Sequence, residues 1–173
     1  MSAVPPLATI PVGVLVERSK SASQWADYYW KPSGVLTGAP ETGPWTKLSD
    51  DGERTTFYAG AADIELYRTE TTYYRDNLRS GTPQLWIILR PTEADPPYEL
   101  AAVTADPSEG EAMTEAGVNL VDTVPMPQPI QEALAAFIAQ HHVEEGAFVK
   151  RKRDRANPEA LGRRGPLPRK DAT

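Results

Sequence analysis

Residues 84–104 read QLWIILRPTEADPPYELAAVT, and the architecture turns on this stretch. Gln84–Arg90 is apolar at both odd and even positions, the pattern of a central strand buried on both faces. Pro91 ends it, TEADPP at 92–97 is a turn, and Tyr98–Thr104 is its hairpin partner. Just upstream a second hairpin is expected. Glu53–Ala59 (ERTTFYA) is rich in Thr and aromatics. Asp63–Glu70 (DIELYRTE) alternates, with Ile64 and Leu66 on one face and Asp63, Glu65 and Tyr67 on the other. Gly60-Ala61 is the compact link between them.

Further out, Ile10, Val12, Val14 and Val16 alternate as a strand, with Pro11 suited to its start or to an edge. Residues 28–37 (YYWKPSGVLT) read as a strand interrupted at Pro32-Ser33-Gly34, between a polar linker at 19–27 and a Gly/Pro-rich loop at 38–52. Residues 71–81 suit one or two helical turns ending at Gly81. Asp106-Pro107 is an N-cap with a first-turn proline, Glu109 and Glu111 suit the positive end of the helix dipole, and Gly117 is a C′ stop. Val118–Val124 reads as a short strand or an extended link. From Gln128 a helix carries Ile130, Leu134, Phe137, Ile138 and His141 on one stripe and ends near Gly146.

The expected fold is therefore α+β: a mostly antiparallel sheet or small barrel of about six strands, with two C-terminal helices and a disordered basic tail. Residues 1–9 form a flexible arm, 10–148 a single domain, and 149–173 the tail. Strand–helix–strand alternation, which a parallel doubly wound sheet requires, is missing from residues 1–105. Trp86 reads as core, and the loop residues Trp25 and Trp45 read as plugs of the barrel end.

Composition excludes several chemistries. The chain has 173 residues and no cysteine, so disulfides, thiolate zinc sites, cysteine-ligated clusters and a cysteine nucleophile are ruled out. The longest apolar runs, such as LWIIL at 85–89, fall far short of a membrane span. The N-terminus MSAVPPLATIPVG lacks the basic and apolar regions of a signal peptide, and a cytoplasmic protein is expected. The 12 glycines are never spaced G-x-G, and neither G-x-x-x-x-G-K nor G-x-S-x-G occurs. His141 and His142 are the only histidines, and neighbours on a helix point about 100° apart, so no metal is expected. No cofactor and no catalytic residues are expected.

The charge is split. Nine of the 18 Lys and Arg lie at 150–173 with three acids, which leaves a tail of +6 and a body of −12. The run KRKRDR at 150–155 has no interleaved aromatics, and the acidic body repels a polyanion, so a nucleic-acid partner is not expected. Asp63, Glu65 and Glu70 form a carboxylate group that suits either acid–base work or a solvated strand face, the second being the more economical. The segment ELYRTETTYYRDNLR at 65–79 concentrates Tyr and Arg, the residue types of binding hot spots. The candidate partner-binding residues are Tyr67, Arg68, Glu70, Tyr74, Arg75 and Asn77, with Lys150, Arg151, Lys152 and Arg153 as a second contact. As an alternative, Arg68, Arg75 and Arg90 would hold the phosphate of a pterin or nucleotide.

The stretches IPVGVLVERSKSASQWADYYWKPSGVL, FYAGAADIELYRTETTYYRDNL, QLWIILRP, PPYELAAVTADPSEGEAMTEAG and VDTVPMPQPIQEALAAFIAQHHVEE, followed by FVKRKRD, span about Ile10 to Leu161. In order and wording they resemble a proteobacterial family of small proteins, a domain of unknown function. Its members are encoded beside molybdenum-dependent formate dehydrogenases and are sometimes labelled molybdopterin-guanine dinucleotide biosynthesis protein A. That label implies an N-terminal Gly-rich nucleotide loop followed by Arg and Lys, and no such loop is present here. The resemblance implies a non-catalytic accessory protein that binds a formate dehydrogenase subunit or its maturation machinery. It carries over no catalytic residues.

Overall fold

A computed structural model describes residues 4–20 and 28–142. The elements lie in a compact unit, Met1–His141. Their order is β1 (Ala8–Lys20), β2 (Tyr28–Thr37), β3 (Thr46–Asp50), β4 (Arg54–Leu66), a short 3-10 turn (Arg68–Glu70), α1 (Thr71–Leu78), β5 (Gln84–Pro91), β6 (Tyr98–Thr104), α2 (Pro107–Ala116), β7 (Leu120–Pro125) and α3 (Gln128–His141). The fold is α+β, with helices gathered toward the C-terminus. The strands form two antiparallel sheets, one ordered β2-β1-β4-β3 and the other β6-β5-β7.

Gln84–Arg90 is the centre of its sheet, as its continuous apolar character requires, and Tyr98–Thr104 is its hairpin partner. The second expected hairpin does not form. Residues 54–66 are one strand that pairs with β1 from Ala8↔Leu66 to Ser19↔Arg54. The turn-like Gly-Ala signature belongs to a bulge. Val14 faces Gly60 and Leu15 faces Tyr58, so Ala59 is the extra residue, and Gly60 beside it takes φ +139°. Pro32-Ser33-Gly34 is likewise a bulge, within an edge strand that tolerates proline. Pro11 lies beyond the end of the β2 ladder, where β1 is flanked in register by β4.

The loop expected over 38–52 contains β3. Its five residues are all exposed, so no apolar alternation marks it, and pairing with Arg54–Tyr58 territory on β4 holds it. β1 begins at Ala8, inside the expected arm. Among the described residues the strands number seven, and they form two sheets with no closed barrel. β4 lies beside β6 and β2 beside β7, but among the described residues no ladder crosses either seam. Bulges at Ala59 on β4 and Ala101 on β6 interrupt the regular edge on both sides of the first seam.

Val12, Val14, Val16 and Ile64 from one sheet meet Leu85, Ile87, Leu89, Val103 and Val124 from the other in a common core. α3 adds Ile130, Leu134 and Phe137, each buried, as the stripe predicts. Burying side chains of this size stabilises by about 1.5–3 kcal/mol each. Phe137 meets the Tyr74 ring of α1 edge-on at 6.2 Å. α2 lies on β5, with Gly110 against Trp86. Its start is capped as expected, since the Asp106 carboxylate accepts from Ser108 N at 2.9 Å, and it stops at Gly117 in the left-handed region. α3 ends at His141; Gly146, Trp25 and the whole of the expected tail lie outside the described residues. Trp45 packs against Trp30 and Phe57, which joins it to an aromatic group capped by the Arg18 guanidinium.

Candidate functional site

The segment singled out for Tyr and Arg lies where β4 leaves its sheet. β4 ends at Leu66, the short turn and α1 follow, and the chain re-enters at β5. Tyr67 stays at the surface. Its hydroxyl donates to Glu65 Oε1 at 2.6 Å, and its N–H donates to the Tyr74 hydroxyl at 3.0 Å. The Glu65 bond, with some burial, pushes the Tyr67 phenol up to about 12. Arg68 is exposed and Arg75 half-buried.

Tyr74 and Asn77 face inward. Tyr74 is 1% exposed, and burial raises its phenol to about 12. Asn77 is 5% exposed, and its side chain is committed to the main chain. Nδ2 donates to Gln84 O at 2.8 Å and Ala105 O at 3.0 Å, while Oδ1 accepts from Gln84 N at 3.0 Å. It staples α1 to the start of β5 and the end of β6. Arg90 is six positions along β5 from Gln84, roughly 20 Å away at strand rise, and pairs with Glu99. Arg68 and Arg75 sit near the Gln84 end of that strand, so the three arginines do not converge. Lys150, Arg151, Lys152 and Arg153 lie outside the described residues.

What gathers around Tyr67 is negative charge. Asp63 and Glu65 project from the exposed face of β4, and Glu109 reaches in from the first turn of α2. Glu70 stands close by; its carboxyl is raised above 4.5 by partial burial and by the charges of Asp106 and Glu109. Asp63, Glu65, Tyr67 and Glu109 rim a cavity of about 480 Å³ along the β4–β6 seam. Ala61, Ala62 and residues 100–104 of β6 also line it. A second cavity, about 770 Å³, shares Ala61 and Leu100 with the first and runs on to Trp45, Tyr98 and the Asp95-Pro96 turn. The two cavities meet at Ala61 and Leu100 along the seam, and together are called the groove. Among the described residues no Lys or Arg lines either part.

A family model described as "Protein of unknown function (DUF3305)" matches residues 11–153. The chain belongs to this family. No curated protein and no solved structure matches it. The family match thus takes in β4, β6, α2 and every residue that rims the groove.

Sequence reasoning had Asp63, Glu65 and Glu70 as a carboxylate group and Glu109 as a dipole partner of α2, but did not join them. The link is tertiary, because α2 begins more than 40 positions after Asp63. Ala61, Ala62 and Ala102 carried no signal, since small residues on a strand are unremarkable until two strands face each other. Among the described residues no group of three or more His, Asp or Glu has the arrangement to hold a metal ion. No described helix is long and apolar enough to cross a membrane.

Proposed function

We propose that this chain is a cytoplasmic, non-catalytic accessory protein that acts by binding another protein, and that its client is a molybdenum-dependent oxidoreductase such as formate dehydrogenase, or the machinery that matures it. The observation that carries the binding reading is the groove along the β4–β6 seam: small apolar residues in its lining, with Asp63, Glu65, Tyr67 and Glu109 beside them. An open furrow of this kind offers a length of surface to a polypeptide, with few convergent polar groups for a compact substrate. The choice of client rests on the resemblance of the five stretches quoted above to proteins encoded beside formate dehydrogenases.

The test is retention of the purified apo-dehydrogenase by the tagged full-length chain. Retention at low salt that declines as salt is raised is expected, because exposed charges are screened beyond about 10 Å at 0.1 M salt. Failure to retain any dehydrogenase subunit at low salt would overturn this assignment.

A further inference from the structure

We propose that the β4–β6 groove takes an extended, basic segment of the client, laid along the seam with cationic side chains at alternate positions. This rests on the reading that the chain binds a protein, and adds the chemistry of the part that is bound. Three observations carry it.

The first is the pair of edges. β6 is the outer strand of its sheet, and β4 beyond Tyr58 is laddered to β1 alone. The two strands come within 8 Å of each other along the seam without a ladder, so main-chain donors and acceptors face the groove, where an extended segment laid over it can reach them. The second is the size of the lining residues. Ala61, on the same face of β4 as Asp63 and Glu65, and Ala102 on β6 are small enough to let a backbone come close, whereas a helix with its side chains is about 10–12 Å wide. The seven residues of β6 offer roughly 23 Å of edge at strand rise, enough for an extended segment of similar length.

The third is charge and its spacing. Asp63 and Glu65 lie two apart on one face of β4, about 6.8 Å along a strand. An extended peptide repeats its own side chains on one face at the same interval, so Lys or Arg at every second position matches them. Glu109 extends the acidic rim on the α2 side. At the far end Trp45, Tyr98 and Asp95 line the cavity, aromatic rings beside a carboxylate, residue types that hold a guanidinium or ammonium group.

The experiment uses the full-length chain and three labelled nine-residue peptides, read by fluorescence anisotropy. One has Arg at alternate positions with Ala and Val between. One has the same composition with its Arg residues consecutive. One carries Glu in place of Arg. Binding of the alternating peptide at least tenfold tighter than the consecutive one, with no binding of the Glu peptide, is expected. Glu65→Lys with Glu109→Lys should weaken it tenfold or more. Asp63→Asn with Glu65→Gln, which introduces no new charge, should weaken it severalfold and covers the case in which the reversal does not fold. Hydrogen exchange should show new protection at residues 61–66 and 99–104 when the peptide is added. Equal affinity for the alternating and consecutive peptides would overturn the proposal, as would protection confined to other elements. So would protection already present without peptide that disappears when Lys150–Arg153 are changed to Ser, or that grows with protein concentration, because the groove would then belong to this chain or to a second copy. If the apo-dehydrogenase is retained equally by wild type and by the groove variants, the groove assignment fails and the client assignment stands. If no dehydrogenase is retained while the alternating peptide binds as described, the client assignment fails alone.

Discussion

Asn77 has both amide hydrogens and its carbonyl oxygen engaged by main-chain groups of β5 and the end of β6. Asn77→Ala would leave two carbonyls and one N–H without these partners in a buried place. An unmet buried polar group costs about 1–3 kcal/mol, so a loss of about 3 kcal/mol is expected, read as the urea midpoint with an unchanged slope. Asn77→Asp should be no better, because a carboxylate cannot donate to Gln84 O and Ala105 O. The two raised tyrosines make a pH prediction. Tyr67 and Tyr74 move from 10.0 to about 12, so folding favours their neutral forms. Their contribution is full below pH 10 and is lost as pH rises through 12. Ultraviolet titration of phenolate should lose its late phase near pH 12 when both are changed to Phe, and alkaline unfolding should then begin at a higher pH. The sequence showed that these residues were unusual but not which way they face. TTYYRDNL has too few apolar positions to mark an inner side, and burial of Tyr74 and Asn77 is decided by α3 and β5, elements that arrive later in the chain.

α2 depends on one missing side chain. A Cβ at Gly110 would stand 2.2 Å from the Trp86 ring. In an exposed helix interior Gly→Ala gains about 1 kcal/mol; here the sign should reverse, with Gly110→Ala losing about 1–3 kcal/mol by overpacking. Trp86→Leu in the same chain should recover part of that loss, measured by thermal melting of the single and double variants. Helix limits in this region were legible, because Asp106, Pro107 and Gly117 are local signals with local causes. The hairpin expected at 53–70 was not legible, because Gly-Ala between two β-rich runs serves a turn or a bulge equally well. Only β1, which runs alongside the whole of β4, decides for the bulge. β3 was hidden for a related reason: a fully exposed edge strand has no inner face to leave a pattern.

The placement of charge across the molecule makes a prediction against small anionic ligands. The arginines that would hold a phosphate are dispersed, and the groove is rimmed with acid. GTP, CTP and molybdopterin nucleotides are therefore expected to leave the melting temperature unchanged. A true site at 100 times its dissociation constant would add about 2.7 kcal/mol, well within reach of a thermal-shift assay. The α+β class and the antiparallel pairing were readable from the order of patterns, but the choice between barrel and split sheets was not, since it is made at seams where no sequence-adjacent residues meet. The position of β1 has one more consequence. It precedes the other described strands in the chain, yet it sits inside its sheet, and Ala8 finds its partner only at Leu66. At translation speeds of about 5–20 residues per second, its second edge waits on the order of 3–12 s for β4 to be completed. Throughout that interval a nascent chain has β1 paired at most with β2 on one side, its other edge open. An open strand edge is a template for other chains, so the interval before β4 is made is when this chain is most exposed to aggregation.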